Sequence, residues 1–379
     1  MYLIVIAWMY VVLMMSIAEA TSSAGTLLGA LITFVLYGVG PVALVVYLMG
    51  APARSKAIKK RQAQELDRQT SQRPASQSLS GTPDMTLTRS MTTSVLTYSP
   101  NPSRPTLRLP AGACDSHVHV FGPAARFAFS PARSFTPVDA PKETLFALHR
   151  HLGIERCLIV QSLMHGFDNA AVEDAIAAGG GRYLGVALVP HDVPDAELQR
   201  LKAAGFRGVR FNFMQHLSQG AATPQQVVAL TQRLAPLGLH LQVHFESSLI
   251  HVLAPFLKTS AVPVVIDHMA RVDAALGPDH PDFRALCDLM LDTRFHVKLS
   301  GADRIDPRPP YGRGADLASH LLQAFPERCF WGTDWPHPNH THVPDDGALV
   351  DLLASIAPTP ELLGKLLVHN PQRFYQFPA

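Results

Sequence analysis

Two histidines one residue apart, His117 and His119, close the short apolar run from Ala113 to Phe121. On a β-strand, side chains alternate faces, so both imidazoles can meet one ion or one carbonyl oxygen while Val118 and Val120 face the other way. In a chain with 18 histidines a single such pair is weak on its own. Later apolar runs also end in polar groups, at Arg210, His244, His268 and Asp334, and Arg304 follows another. Three or four imidazoles with one carboxylate make a ligand set for a zinc-like ion with a position left for water. Without metal, the same groups let Asp334 take a proton from water while histidines donate to an electrophilic carbonyl.

Such side chains act together only if the chain brings them to one rim. From Leu107 onward, β-rich runs alternate with helical patterns, and the spacing predicts strands at 113–119, 157–161, 183–189, 207–212, 240–245, 263–267, 295–299 and 329–333. Between them, helical periodicity covers 142–152, 169–178, 196–204, 224–237, 249–259, 283–292, 315–325 and 360–367. Eight alternations match an α/β fold of the (β/α)8 TIM-barrel type, whose strands end at one face. A doubly wound sheet is the structural alternative, and no Gly-rich turn follows the first strand to support it. A barrel gathers His117, His119, Arg210, His244, His268, Arg304 and Asp334 in one pocket. Simpler roles are packing for His244, a local ion pair with Asp303 or Asp306 for Arg304, and an acid inside the barrel for Arg210. Among the remaining histidines only His337 is given a substrate role, together with Asn339.

The composition sets limits. With 47% hydrophobic residues in 379, the chain can bury a large core. A net charge of +2 is too mild to imply nucleic acid. Cys114, Cys157, Cys287 and Cys329 form no CxxC pair and read as reduced, buried thiols. Residues 2–18 and 27–49 are almost wholly apolar and near the length of a bilayer span. Arg54, Lys56, Lys59, Lys60 and Arg61 follow, so a transmembrane hairpin would keep both ends, and the barrel, on the cytoplasmic side of the inner membrane. A signal peptide ending at Ala20 is disfavoured because no basic segment precedes the apolar run. Residues 51–105, rich in Ser, Thr, Gln, Pro and Arg, read as a disordered linker. The expected domains are a hairpin at 1–50, a linker at 51–105 and a barrel at 106–379. Subunit number is not legible.

The runs DSHVHVFGP at 115–123, IDHMAR at 266–271, KLSGADRI at 298–305, GTDWPHPN at 332–339 and HNPQRFYQF at 369–377 together resemble the amidohydrolase superfamily. Within it they are most similar to the 2-pyrone-4,6-dicarboxylate hydrolases and related lactonases. The resemblance covers about residues 107–379 and no part of the first hundred. It implies a lactone-opening hydrolase of aromatic degradation, with Asp334 as base for the attacking water. It implies that His117, His119 and His268 polarise the carbonyl and that Arg210 and Arg304 hold substrate carboxylate. It also implies turnover without a bound ion; strand four ends in Arg210 and Asn212, with no Lys or Glu to bridge two metals.

The anion-binding wall departs from that pattern. Where those hydrolases carry a Tyr this chain has Phe135, where they carry a Ser it has Leu163, and their Arg and another Tyr fall near His216 and His244. Each change removes a hydroxyl or a fixed charge, so a less anionic or differently shaped lactone is expected. His244 would also complete a zinc set with His117, His119 and Asp334, resembling the mononuclear zinc decarboxylases of the superfamily. One divalent metal and decarboxylation therefore stand as the alternative enzyme reading. A membrane-anchored binding protein for a small acid is the non-enzyme alternative.

Overall fold

Runs such as Leu-Ile-Val and Val-Val-Ile have no polar face to give to solvent, and the chain buries both sides of them as parallel strands. In the computed structural model these are β1 (Cys114–Val118), β2 (Arg156–Val160), β3 (Tyr183–Leu188), β4 (Phe206–Asn212), β5 (His240–His244), β6 (Val264–Ile266), β7 (Phe295–Lys298) and β8 (Cys329–Phe330). The structure describes residues 2–21, Thr26, Phe34, 94–214, 222–340 and 342–378. Each strand pairs in parallel with the next, in the order β1 to β8. Helices such as Lys142–Leu152, Ala170–Ala178 and Pro224–Leu234 carry the chain back between strands. The last of these starts on a capping box, in which the Thr223 hydroxyl accepts from the Gln226 N–H and the Gln226 side chain accepts from the Thr223 N–H.

The seam between β8 and β1 is closed by backbone bonds just past the short β8. Ser116 N–H donates to Trp331 O at 2.8 Å, Asp334 N–H to His117 O at 2.8 Å, and His119 N–H to Trp335 O at 2.7 Å. Gly332 permits this approach, because a Cβ there would lie 2.5 Å from the His117 nitrogen. Asp115 ties the same seam, accepting from the Thr333 hydroxyl at 2.6 Å and from the His117 N–H at 3.1 Å. The eight strands thus form a nearly closed (β/α)8 barrel. Cys114, Leu158, Val160, Leu184, Val186, Val265 and Phe330 fill its lower interior with Tyr375 and Phe377 beneath them, and a larger apolar cluster packs helices onto its outside.

The chain divides into two units, Met1–Thr88 and Arg89–Ala379. In the first, Tyr2–Thr21 is helical. Among the described residues no helix is long and apolar enough to cross a membrane. The expected two-span hairpin and membrane attachment therefore gain no support from the structure. The second expected span, apart from Phe34, and the linker at 51–93 lie outside the described residues. Residues 94–105, grouped with the linker on composition, are pinned to the barrel unit. Val95 exchanges backbone bonds with Thr136 and Val138, and Ser103 is held by Asp345.

Candidate active site

His117 and His119 owe their inward aim to an irregularity. Cys114 packs inside the barrel, and strict alternation from Cys114 would send 117 and 119 outward. The pairing of β1 with β2 shifts register between Asp115 and Val118, which restores the histidines to the interior. His119 Nδ1 lies 2.7 Å from the Val160 carbonyl, which can only accept, so the proton sits on Nδ1. Its Nε2 is 3.2 Å from Asp334 Oδ1. His117 Nδ1 faces Asp267 Oδ1 at 3.2 Å, while its Nε2 has no hydrogen-bond partner among the described residues and lies 3.7 Å from Asp334 Oδ1.

Asp334 is the hub. Arg304 places Nε and Nη2 on its Oδ2, and His268 Nε2 lies 3.9 Å from the same oxygen. Burial alone would raise this carboxyl; Arg304 and then His268 overcome that and hold it well below the usual 3.8. Asp334 therefore remains a carboxylate. His268 comes from an uncommon backbone. Residues 268 to 271 all adopt positive φ, between 49° and 55°, at a cost of roughly 1–2 kcal/mol per residue. This left-handed turn aims His268 into the barrel mouth, where its Nδ1 meets Ser300 Oγ at 3.0 Å. Gly301, at φ 78°, leaves it room, since a Cβ there would press on His268 at 3.2 Å.

Beneath the imidazoles lies a buried polar frame. Asp267, fully buried, accepts from Arg210 Nε at 2.8 Å and from Gln242 Nε2 at 2.8 Å, with Lys298 Nζ 3.9 Å away. Lys298 donates to Gln242 Oε1 at 2.9 Å and approaches His117 Nδ1 at 3.3 Å. Burial pulls the lysine down to about 8 against the pull of Asp267. Burial and then Lys298 push His117 down to about 3, and burial, with Arg210 next, keeps His244 well below its usual value. Neither ring is charged at neutral pH.

A cavity of about 140 Å³ opens above this frame, lined by His119, Leu163, Arg210, His244, Arg304 and Asn339, with Asp334, His268 and Arg271. His244 Nδ1 bonds Asn212 Oδ1 at 3.1 Å and its Nε2 is unpaired among the described residues. Of the expected residues, Phe135 does not reach this cavity; it packs half-buried against the outer apolar cluster, because its loop runs past the rim. His216 lies outside the described residues. His337, expected to meet substrate, is fully buried and held by Asp346 at 3.0 Å, away from the cavity lining. Asp267, Gln242, Lys298 and Arg271 had no role in the reading of the sequence. The first three sit below strand ends that otherwise look apolar.

Arg271 is a cavity guanidinium with no acid partner among the described residues. Arg210 is paired with Asp267 and Arg304 with Asp334, whereas Arg271 makes no hydrogen bond or ion pair among the described residues. Burial, with Arg304 close by, lowers it only to about 10, so it stays charged. For a metal, the fold groups His117, His268 and Asp334, with ligand atoms within 4.8 Å of one another. The unpaired His117 Nε2 fits one ion in this place, while Arg304 already covers one Asp334 oxygen. His119 and His244, expected as zinc ligands, are not in this group.

Fold and site define a class, and the chain belongs to the amidohydrolase family, whose model matches residues 114–377. It is an enzyme of that family, a hydrolase. It is 43% identical over 292 residues to a 2-pyrone-4,6-dicarboxylate hydrolase of Comamonas testosteroni, covering 74% of this chain and 95% of the relative. A 4-sulfomuconolactone hydrolase of Hydrogenophaga intermedia is 39% identical, with 70% of this chain and 89% of that protein covered. Among solved structures, a Pseudomonas putida protein assigned as a 2-pyrone-4,6-dicarboxylic acid hydrolase matches with a TM-score of 0.63 at 30% identity, covering 72% of this chain and all of that one.

Proposed function

We propose that this chain hydrolyses a lactone that bears a carboxylate or similar anionic group. The observation that carries the reading is one cavity holding an ionised Asp334 ringed by imidazoles beside the Arg271 guanidinium, which has no acid partner among the described residues. The names of the relatives, both lactone hydrolases, support the same class. Arg271 binds the anion of the substrate and seats the ring ester over Asp334. Asp334 takes a proton from water as that water attacks the carbonyl carbon. With Ser300 Oγ–H donating to His268 Nδ1, the His268 Nε2–H donates to the oxyanion. The proton that Asp334 took from water passes to the ring oxygen as the acyl C–O bond breaks, giving an enol or alcohol and a carboxylic acid that ionises to solvent. Leu163, Met164 and Met214 make the apolar side of the pocket, where bulk takes the place of a hydroxyl. A divalent ion, when bound, would be held by His117, His268 and Asp334 and would polarise the carbonyl.

The anion-binding role of Arg271 has a direct test. Arg271→Met removes a charge-assisted hydrogen bond worth about 1.5–3 kcal/mol. It should raise KM for a carboxylated lactone by about ten- to hundredfold, with kcat changed far less and a neutral lactone hardly affected. Steady-state kinetics on matched neutral and carboxylated lactones checks this. Equal losses on both would remove Arg271 from substrate recognition.

A further inference from the structure

Beyond the catalytic pocket, a second group of side chains meets behind Arg304. Asp303 lies on the short helix Ala302–Ile305 after β7, and His340 and His342 lie on the loop after β8. Asp303 is 99% buried and its Oδ2 has no hydrogen-bond partner among the described residues. Among the described residues both ring nitrogens of His342 are buried and equally unpaired, as is His340 Nε2. Four such atoms in one place are uncommon, because a buried polar atom without a partner is costly.

We propose that Asp303, His340 and His342 form a second metal site, taking one zinc-like divalent transition-metal ion. One ligand atom from each residue lies within 4.8 Å of the others. Asp303 Oδ2 and His340 Nδ1 stand 3.4 Å apart without forming a hydrogen bond. That separation is the edge of a tetrahedron with bonds of roughly 2.0–2.1 Å. Two imidazoles and one carboxylate suit zinc and leave a position for water. Tyr311 stacks on His342 at 5.7 Å and orients the ring, as an outer partner of a metal ligand does. The nearby positive groups, Arg304 and His337, are already matched by Asp334 and Asp346. The site shares no ligand with His117, His268 and Asp334. It touches the catalytic centre through one ring. With metal on Nδ1, His340 carries its proton on Nε2, 3.7 Å from Asp334 Oδ2.

The test uses the full chain, stripped with chelator and dialysed, then titrated with zinc chloride at micromolar free metal by calorimetry and metal analysis. His342→Ala and Asp303→Asn should each take up one equivalent less zinc than the unaltered protein, whereas His268→Asn should keep that equivalent. Cobalt in place of zinc should give a tetrahedral visible spectrum that His342→Ala weakens and His268→Asn retains. If His342→Ala fails to fold by circular dichroism, His342→Gln replaces it, keeping bulk without the imidazole nitrogens. Unaltered protein that takes up no zinc, or a folded His342 variant that takes up as much as the unaltered protein, overturns the proposal.

Discussion

Asp334→Asn should lower kcat/KM for lactone hydrolysis by about a thousandfold, within the roughly 10²–10⁴ range that a positioned general base supplies. The substitution isolates the base from the fold. Asp334 sits at φ 65°, a region that Asn tolerates nearly as well as Asp. The amide oxygen can still accept from Arg304, so the rim keeps its shape while the proton acceptor is gone. The same carboxyl sets the acid side of the pH profile. Arg304 holds it below 3.8, so it is ionised from neutral pH down to that value and activity is lost only as pH falls further. His117, His244 and His268 are all lowered from 6.5, so kcat/KM should show no break from them near that pH. Variant kinetics and a pH series check both points. An Asn variant within threefold of the parent would mean that another group activates the water.

Asp267→Ala should cost about 3–5 kcal/mol of stability, the usual penalty when one partner of a buried ion pair is removed. The carboxylate holds Arg210 and Gln242 at 2.8 Å each and His117 at 3.2 Å. Its loss leaves a guanidinium in a site 94% buried, and Lys298 beside it, without a counter-charge. Burial would raise the Asp267 carboxyl, but Arg210 and then His117 hold it well below 3.8. A depressed carboxylate contributes stability that is present above the unfolded value and is lost as pH falls toward the folded one. The parent should therefore lose this contribution on acidification below about pH 4, and Asp267→Ala should lack it. Urea unfolding at neutral and acid pH reads both effects, as a shift of midpoint at constant slope. A change under 1 kcal/mol at pH 7 would show that the frame does not depend on this carboxylate.

All eight strands were legible because a parallel strand buried on both faces reads as an unbroken apolar run. The polar residue that ends such a run falls at the barrel mouth, so His119, Arg210, His244, His268 and Asp334 could be placed together before any coordinates. The frame below them was not legible. Gln242 lies between Leu241 and Val243, and Lys298 follows Val297, where nothing in the local pattern shows which acid they meet across the barrel. Asp267 is adjacent to His268, yet its partners come from β1, β4, β5 and β7, a set that only closure of the sheet brings together. The left-handed turn at 268–271 carries no Gly to announce it, so the aim of Arg271 was hidden. The direction in which Phe135 faces was not legible, because a loop has no periodicity that tells it.

The measurement closest to the central claim is hydrolysis of a panel of neutral and carboxylated lactones in ¹⁸O-enriched water, followed by mass spectrometry of the ring-opened product. Attack of Asp334-activated water on the carbonyl carbon predicts one heavy oxygen in the newly formed carboxylate and none in the enol or alcohol. Label in the alcohol oxygen, or no lactone in the panel opened by the intact enzyme, would contradict it.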